Sequence, residues 1–171
     1  KPIKLDIAEL PKVDYHFHPS VHLIKKEDIN QTNFRIGHLG GMMDDPDYFA
    51  LTVMNSILGE SFSGRLFKKV RSDQGLAYHV RGSYQSNFGY PGLFVLTCET
   101  KSQSTIQAIQ SMMEEVKRIS QQEVSDEELE MAKNTFLNSF VFQFDTKGEV
   151  VNRLLTYEYY GFPLDFLQKT K

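Results

Sequence analysis

The stretch SFSGRLFKKVRSDQGLAYHV, residues 61–80, predicts a helix, a tight stop and a strand within twenty residues. Leu66, Phe67 and Val70 recur at helical spacing and give the helix one apolar face. We expect one of the two preceding serines to cap its first turn. Gly75 can adopt the left-handed conformation that commonly ends a helix.

The residues that follow Gly75 alternate as in a strand with one buried face. This alternation predicts two faces, one with Leu76, Tyr78 and Val80 and the other with Ala77, His79 and Arg81.

Arg71 and Tyr78 are the candidate functional pair. They lie seven positions apart on opposite sides of the turn, so both side chains can point into a common space. Guanidinium and phenol groups donate hydrogen bonds that suit a carbonyl oxygen, a carboxylate or a developing oxyanion. The alternative is a solvated basic helix face, with Tyr78 half-buried by packing. The other cations of this helix, Arg65, Lys68 and Lys69, are expected to be surface charges.

The run LGESFSGRLFKKVRSDQGLAYHV, residues 58–80, resembles the signature of the C-terminal half of the M16 (pitrilysin-like, inverzincin) zinc peptidases. These enzymes, which include insulin-degrading and mitochondrial processing peptidases, pair two similar halves as a clamshell. Their second half carries a phrase like SRLF-x-x-VR-x-x-x-GLAY-x-V. The residues in register are Arg65, Leu66, Phe67, Val70, Arg71, Gly75, Leu76, Ala77, Tyr78 and Val80. A weaker likeness extends upstream through Gln31 and NFRIGHLGG, and the implied domain covers nearly the whole chain.

By this resemblance, Arg71 and Tyr78 contact substrate and reach across to a zinc ion on the other half. A catalytic half carries H-x-x-E-H on a helix, with two histidine ligands and a general base. None of the five histidines, at positions 16, 18, 22, 38 and 79, is followed by Glu-His at the required offset. We therefore expect this chain to hold no metal and to be inactive alone. Its expected partners are a zinc-bearing N-terminal half or subunit and a peptide substrate.

Length and composition indicate one ordinary domain. The chain has 171 residues, of which 40% are hydrophobic and 24% charged. A net charge of −3 argues against non-specific nucleic-acid binding, and no apolar run is long enough to span a membrane. Cys98 is the single cysteine and is expected to be a buried, inert thiol. We interpret residues 1–171 as one M16 C-terminal-type domain. A further helix is expected to begin near Leu164, shortly before the sequence ends, so we interpret the chain as an excised fragment missing its last helical segment.

The N-terminal region offers a second candidate site. Alternation around Tyr15 and Phe17 predicts a short strand whose polar face carries Asp14, His16 and His18, and VHLIKK, residues 21–26, predicts another strand. Such a ladder can bind a metal ion, and the alternative is the wet side of a half-buried strand.

The order of elements predicted along the remaining chain indicates an α+β fold, a mostly antiparallel sheet with helices packed on one face. A strand over 33–41 precedes an apolar helix that starts at Pro46 and is capped by Asp44 or Asp45. A hairpin then joins the strand after Gly75 to residues 92–100, with Tyr84 and Phe88 packing near its turn. Three helices follow, with an apolar stripe, a capping box and a C-terminal glycine among their signals. These signals are Ile106, Ile109, Met113, Val116 and Ile119 for the first helix, Ser125 with Glu128 for the second, and Gly161 for the third.

The expected function is therefore that of the zinc-free, substrate-binding half of a two-part metalloendopeptidase. The alternative is a non-catalytic scaffold or assembly subunit of the same superfamily. A third hypothesis, an anion-binding module that uses the basic helix, predicts affinity that falls steeply with salt.

Overall fold

A computed structural model describes residues 14–166. The strands in this range are β1 Gln31–Leu39, β2 Gly41–Met42, β3 Ala77–Tyr84, β4 Ser86–Asn87 and β5 Leu93–Lys101. The three long strands form an antiparallel sheet in the order β1–β5–β3, and the short strands β2 and β4 pair in parallel beside it. The predicted hairpin of β3 and β5 is confirmed, with Val80 opposite Cys98.

The helices pack on one face of this sheet, as the α+β prediction requires. The first α-helix continues into a π-helical turn, Ser56–Glu60, and a π-helix covers Phe67–Asp73. Short 3₁₀ turns of three residues each occur at Ser102–Ser104 and Phe142–Phe144. The α-helices are α1 Tyr48–Asn55, α2 Thr105–Gln121, α3 Asp126–Val141 and α4 Lys147–Tyr160.

The main core lies between the sheet and these helices. Leu66 and Val70 of the π-helix region are fully buried against Leu96 and Cys98 of β5, and Met112 of α2 closes the cluster. Cys98 is buried, as expected, and burial raises the pKa of its thiol to about 11.

A second, aromatic cluster holds α4. Phe88 lies 4.9 Å from Tyr160 and 5.1 Å from Phe162, measured between ring centroids, and 6.1 Å from the buried ring of Tyr157. Tyr84 similarly contacts Phe94. Both aromatics near the hairpin turn therefore pack within the domain, as predicted.

The two strands predicted in the N-terminal region, around Tyr15 and Phe17 and over residues 21–26, are wrong. Residues 14–26 contain no regular strand, and Val21 is 95% exposed. His16 lies 3.7 Å from Asp14, and both side chains are largely exposed. The predicted alternation fails here because no described neighbouring strand supplies the pairing that an extended segment needs.

Helix α1 begins two residues later than predicted, at Tyr48. The Asp45 carboxylate accepts a hydrogen bond from the backbone N–H of Met42 at 2.6 Å, so it closes a local turn instead of capping the helix. Ser61 and Ser63 likewise bond to each other at 2.7 Å.

Helix α2 buries only part of the predicted apolar stripe. Val116 and Ile119 pack against the main core, whereas Ile106 is 67% and Met113 is 44% exposed. The fully buried residues are Ala108, Ser111, Met112 and Glu115, so the buried face is rotated from the predicted stripe toward small side chains at 108 and 111. The predicted capping box at the start of α3 is confirmed, and α4 ends at Gly161 with φ of +73°. The segment expected from Leu164 lies largely outside the described residues.

Candidate functional site

The turn between the π-helix and β3 fixes the backbone on which both candidate residues lie. Gly75 has φ of +61°, its N–H donates to the carbonyl of Arg71 at 3.1 Å, and Leu76 donates to Val70 at 2.9 Å. Arg71 is in the last turn of the π-helix and is exposed, with its guanidinium 5.0 Å from the ring centroid of Phe67. A π-helical segment is frequent at functional sites.

Tyr78 lies in a β-bulge at the start of β3. Ala77 pairs with Thr100 and His79 pairs with Glu99, which are neighbours on β5, so Tyr78 is the extra residue of β3. A bulge of this kind re-aims a side chain and interrupts the strict alternation of a strand.

The bulge overturns the predicted faces of β3. Ala77 and Val80 are both buried against the helices, while Tyr78, which is 49% exposed, and His79 are both open to solvent. Tyr78 therefore shares the uncovered side of the sheet with His79, and the prediction that it shares a face with Val80 is wrong. The sequence carries no signal for this, because the bulge is defined by the pairing with β5.

Arg71 and Tyr78 thus flank one glycine turn, and both are solvent-accessible. Within residues 14–166 no hydrogen bond or ring contact joins the two side chains to each other. Each is available to donate to a ligand, from two ends of the same short segment.

The prediction that Arg65 is a surface charge is wrong. Its side chain is only 9% exposed, and it donates two hydrogen bonds to the Glu128 carboxylate, at 2.7 and 2.8 Å. This bidentate pair, together with a capping bond from Ser125, holds the pKa of Glu128 down at about 2. The ion pair connects α3 to the segment that leads into the π-helix.

A second acid lies close to this ion pair. Glu115 on α2 is buried, and its Oε1 lies 3.8 Å from Arg118. The hydrogen bonds to Glu128 are the main reason that the pKa of Arg65 is raised, and the charge of Glu115 raises it further. Among the described residues, one nitrogen of Arg65 and one oxygen of Glu115 are buried without a hydrogen-bond partner. Residues of α2, α3 and the segment that leads into the π-helix therefore contribute to one charged cluster.

Sequence reasoning also missed the residues that hold α1 against β3. Buried Asn55 accepts a hydrogen bond from the N–H of Tyr84 at 2.7 Å and donates to Glu60 at 3.0 Å. A Cβ at Gly59 would lie 2.6 Å from the backbone nitrogen of Gly82, so these two backbone segments can approach each other only because glycine lacks a side chain.

Comparison with known protein families assigns this chain to one of them. The family model described as the peptidase M16 inactive domain matches residues 2–136. The chain belongs to the M16 inactive-domain family. The matched region contains the whole glycine turn, the bulge and the Arg65–Glu128 ion pair.

Named relatives and solved structures agree with this assignment. The M16 domain is 27% identical over 144 residues to the uncharacterized zinc protease YmxG of Bacillus subtilis, covering 84% of this chain and 34% of the relative. It is 32% identical to the non-peptidase homolog YmxG of Helicobacter pylori, covering 68% of this chain and 27% of the relative. The peptidase M16 inactive domain from Pseudomonas fluorescens superposes with a TM-score of 0.73 at 26% identity, covering 82% and 33% of the two chains.

The chain thus spans between about a quarter and a third of the length of the curated relatives it matches. In residues 14–166, no group of three or more His, Cys, Asp or Glu side chains is arranged to hold a metal ion, so these residues do not fit a zinc site. None of the helices described for this M16 domain has the length and apolarity to cross a membrane.

Proposed function

We propose that this M16 inactive domain is the substrate-binding, zinc-free half of a two-part zinc metalloendopeptidase. It is inactive alone and completes the active site of a zinc-bearing half. The observation that carries the proposal is the bulge, which exposes the Tyr78 phenol beside a glycine turn whose other end presents Arg71.

The two side chains have complementary tasks in peptide hydrolysis. The Arg71 guanidinium offers several N–H donors in a fixed plane and suits the carbonyl oxygens of an extended substrate. The Tyr78 hydroxyl is a single donor that stabilises negative charge on the carbonyl oxygen as it becomes tetrahedral. The zinc-bearing half supplies the activated water for the attack.

The surrounding framework supports this assignment, because donors that stabilise a transition state must already be in position. The Arg65–Glu128 ion pair, the close contact of Gly59 with Gly82 and the Gly75 turn all restrain the segment that carries the pair. Within the ion pair that holds the framework, Arg65 is buried and Glu128 is half-buried, whereas the two side chains assigned to substrate are exposed.

The test is peptide hydrolysis by the complete protein, together with its zinc-bearing half, with bound zinc quantified in every sample. Arg71→Ala and Tyr78→Phe are each expected to lower kcat/KM by on the order of 100-fold at unchanged zinc content, because each removes a transition-state donor. Lys68→Ala on the same π-helix and Tyr90→Phe are the matched controls, and both should retain activity. Equal activity of the Arg71 and Tyr78 variants and their controls would contradict the proposal.

A scaffold role is the second candidate, and the name of the Helicobacter pylori relative, a non-peptidase homolog, favours it. A scaffold predicts that the complete protein contains no bound zinc and cleaves no peptide. It also predicts that Arg71→Ala and Tyr78→Phe leave its assembly with partners unchanged. Zinc content of the complete protein therefore separates the two candidates before any variant is made.

A further inference from the structure

The side of the β1–β5–β3 sheet that faces away from the helices, here called the uncovered face, is organised in cross-strand rows. One row contains Asn33, Glu99 and His79, and the next contains Arg35, Thr97 and Arg81. Val80, Leu96 and Cys98 point to the opposite, buried side. Neighbouring residues in a row have Cβ atoms about 5 Å apart, so Arg35 and Arg81 stand about 10 Å apart across Thr97.

The uncovered face is basic although the chain as a whole is acidic. The three long strands carry three cations, Arg35, Arg81 and Lys101, and a single acid, Glu99, whereas the whole chain has a net charge of −3. Both arginines are exposed, and neither forms an ion pair with any residue in the described part of the chain. Two like charges in one row repel each other, so an anion bound between them is favoured.

The bulge connects this face to the candidate active site. Tyr78 lies on the same side as His79 and Arg81, and Arg81 follows it by three residues along β3. A strand rises about 3.3 Å per residue, so the arginine row lies about 10 Å from Tyr78. An extended peptide has the same rise, so a peptide that lies along β3 with its backbone at Tyr78 reaches the row about three residues away.

We propose that the uncovered face selects a substrate with an acidic side chain about three residues from the peptide bond held by Tyr78. The proposal rests on the proposed function and names the substrate class of that same site. The carboxylate lies above Thr97 and accepts hydrogen bonds from the guanidinium groups of Arg35 and Arg81, which suit a carboxylate in a planar, two-bond geometry. The Thr97 hydroxyl is a third donor between them.

The test uses the complete protein with its zinc-bearing half and a family of quenched fluorescent peptides. The peptides share one neutral sequence, and glutamate, glutamine or lysine replaces a single residue at each of five positions on either side of the cleaved bond. For wild type we expect kcat/KM to be roughly tenfold higher with glutamate than with lysine at the position about three residues from the bond, because two hydrogen bonds to a charged group form only with glutamate. The preference should decrease at high salt.

The variants are Arg81→Glu, Arg35→Glu and, as a control, Lys117→Glu, which makes the same charge change on the helix side of the domain. Either arginine variant should abolish the glutamate preference, because the remaining arginine is then offset by the new glutamate, and Lys117→Glu should retain the preference. The rate of each protein on the neutral peptide is the reference for its own preference, and Lys117→Glu should match wild type on that peptide.

Each other outcome overturns a different statement. Cleavage of all peptides at equal rates, unaffected by Arg81→Glu, refutes the acidic preference and leaves the proposed function intact. No cleavage of any peptide and no bound zinc refute the proposed function itself. If Arg81→Glu lowers cleavage of every peptide alike and weakens co-purification with the zinc-bearing half, the uncovered face binds that half and not a substrate carboxylate.

Discussion

Glu128→Gln should destabilise this domain, because the glutamine keeps the shape of the side chain but removes the charge that pairs with Arg65. The structure lowers the Glu128 pKa from 4.5 to about 2, and the hydrogen bonds from Arg65 are the largest cause. At 1.36 kcal/mol per pKa unit, this lowering corresponds to about 3.4 kcal/mol without solvent screening. Since the Glu128 side chain remains 32% exposed, screening reduces the expected loss at pH 7 to about 1–2 kcal/mol.

The pH dependence has a definite sign. A carboxylate with a lowered pKa in the folded state contributes stability above its unfolded pKa, and this contribution is lost as the pH falls through the folded value. The difference between wild type and Glu128→Gln should therefore be constant above about pH 5 and fall to less than half of its pH 7 value by about pH 3. At still lower pH the wild-type carboxyl is protonated and resembles the amide.

Urea unfolding at pH 7, 5, 4 and 3, followed by circular dichroism, measures this difference directly. Glu127→Gln is the matched control, because its side chain is in the same helical turn and exposed. We expect it to change the free energy of unfolding by less than about 0.5 kcal/mol. Equal stability of the two variants at pH 7, or a Glu128→Gln effect that persists unchanged at pH 3, would refute the assigned role of the ion pair.

Three further predictions concern the core. Cys98, with a pKa of about 11 and almost no exposure, should react with a thiol reagent only after urea unfolds the domain; rapid reaction of the native protein would contradict its burial. Gly59→Ala should cost about 1–3 kcal/mol of unfolding free energy, because the new Cβ meets backbone at 2.6 Å, whereas Gly148→Ala, with no atom closer than 3.8 Å, should be nearly neutral. Met112→Ala should cost about 2–5 kcal/mol by leaving a cavity, and Met113→Ala less than about 1 kcal/mol; similar losses would place the buried face of α2 elsewhere.

Local signals in the sequence predicted the elements that depend on neighbouring residues alone. Gly75 and Gly161 end their helices in the left-handed conformation, and Ser125 with Glu128 forms the expected capping box. The hairpin and its order relative to the helices follow from hydrophobic alternation and turn residues. These features require only a few consecutive side chains, so they can be predicted without knowledge of the packed structure.

Features that depend on distant parts of the chain could not be predicted. The bulge at Tyr78 exists only relative to Thr100 and Glu99 on β5. The burial of Arg65 depends on a carboxylate 63 positions later. A run of four cations in seven residues gives no sign that its first member is buried and its last exposed.

In the proposed function, one short basic run serves both structure and substrate binding, and Arg65 and Arg71 divide these two roles. Arg65 is buried and bonded to Glu128, so its charge is neutralised and it fixes the base of the π-helix. Arg71 is exposed at the other end of that helix, where its guanidinium lies on the ring of Phe67. An exposed flexible side chain loses conformational entropy when it binds a ligand, and stacking on a ring that belongs to a rigid element reduces this loss. Because the ion pair makes the helix rigid, weakening it with Glu128→Gln should reduce substrate binding through Arg71 as well as stability, even though Glu128 itself contacts no substrate in the proposed function.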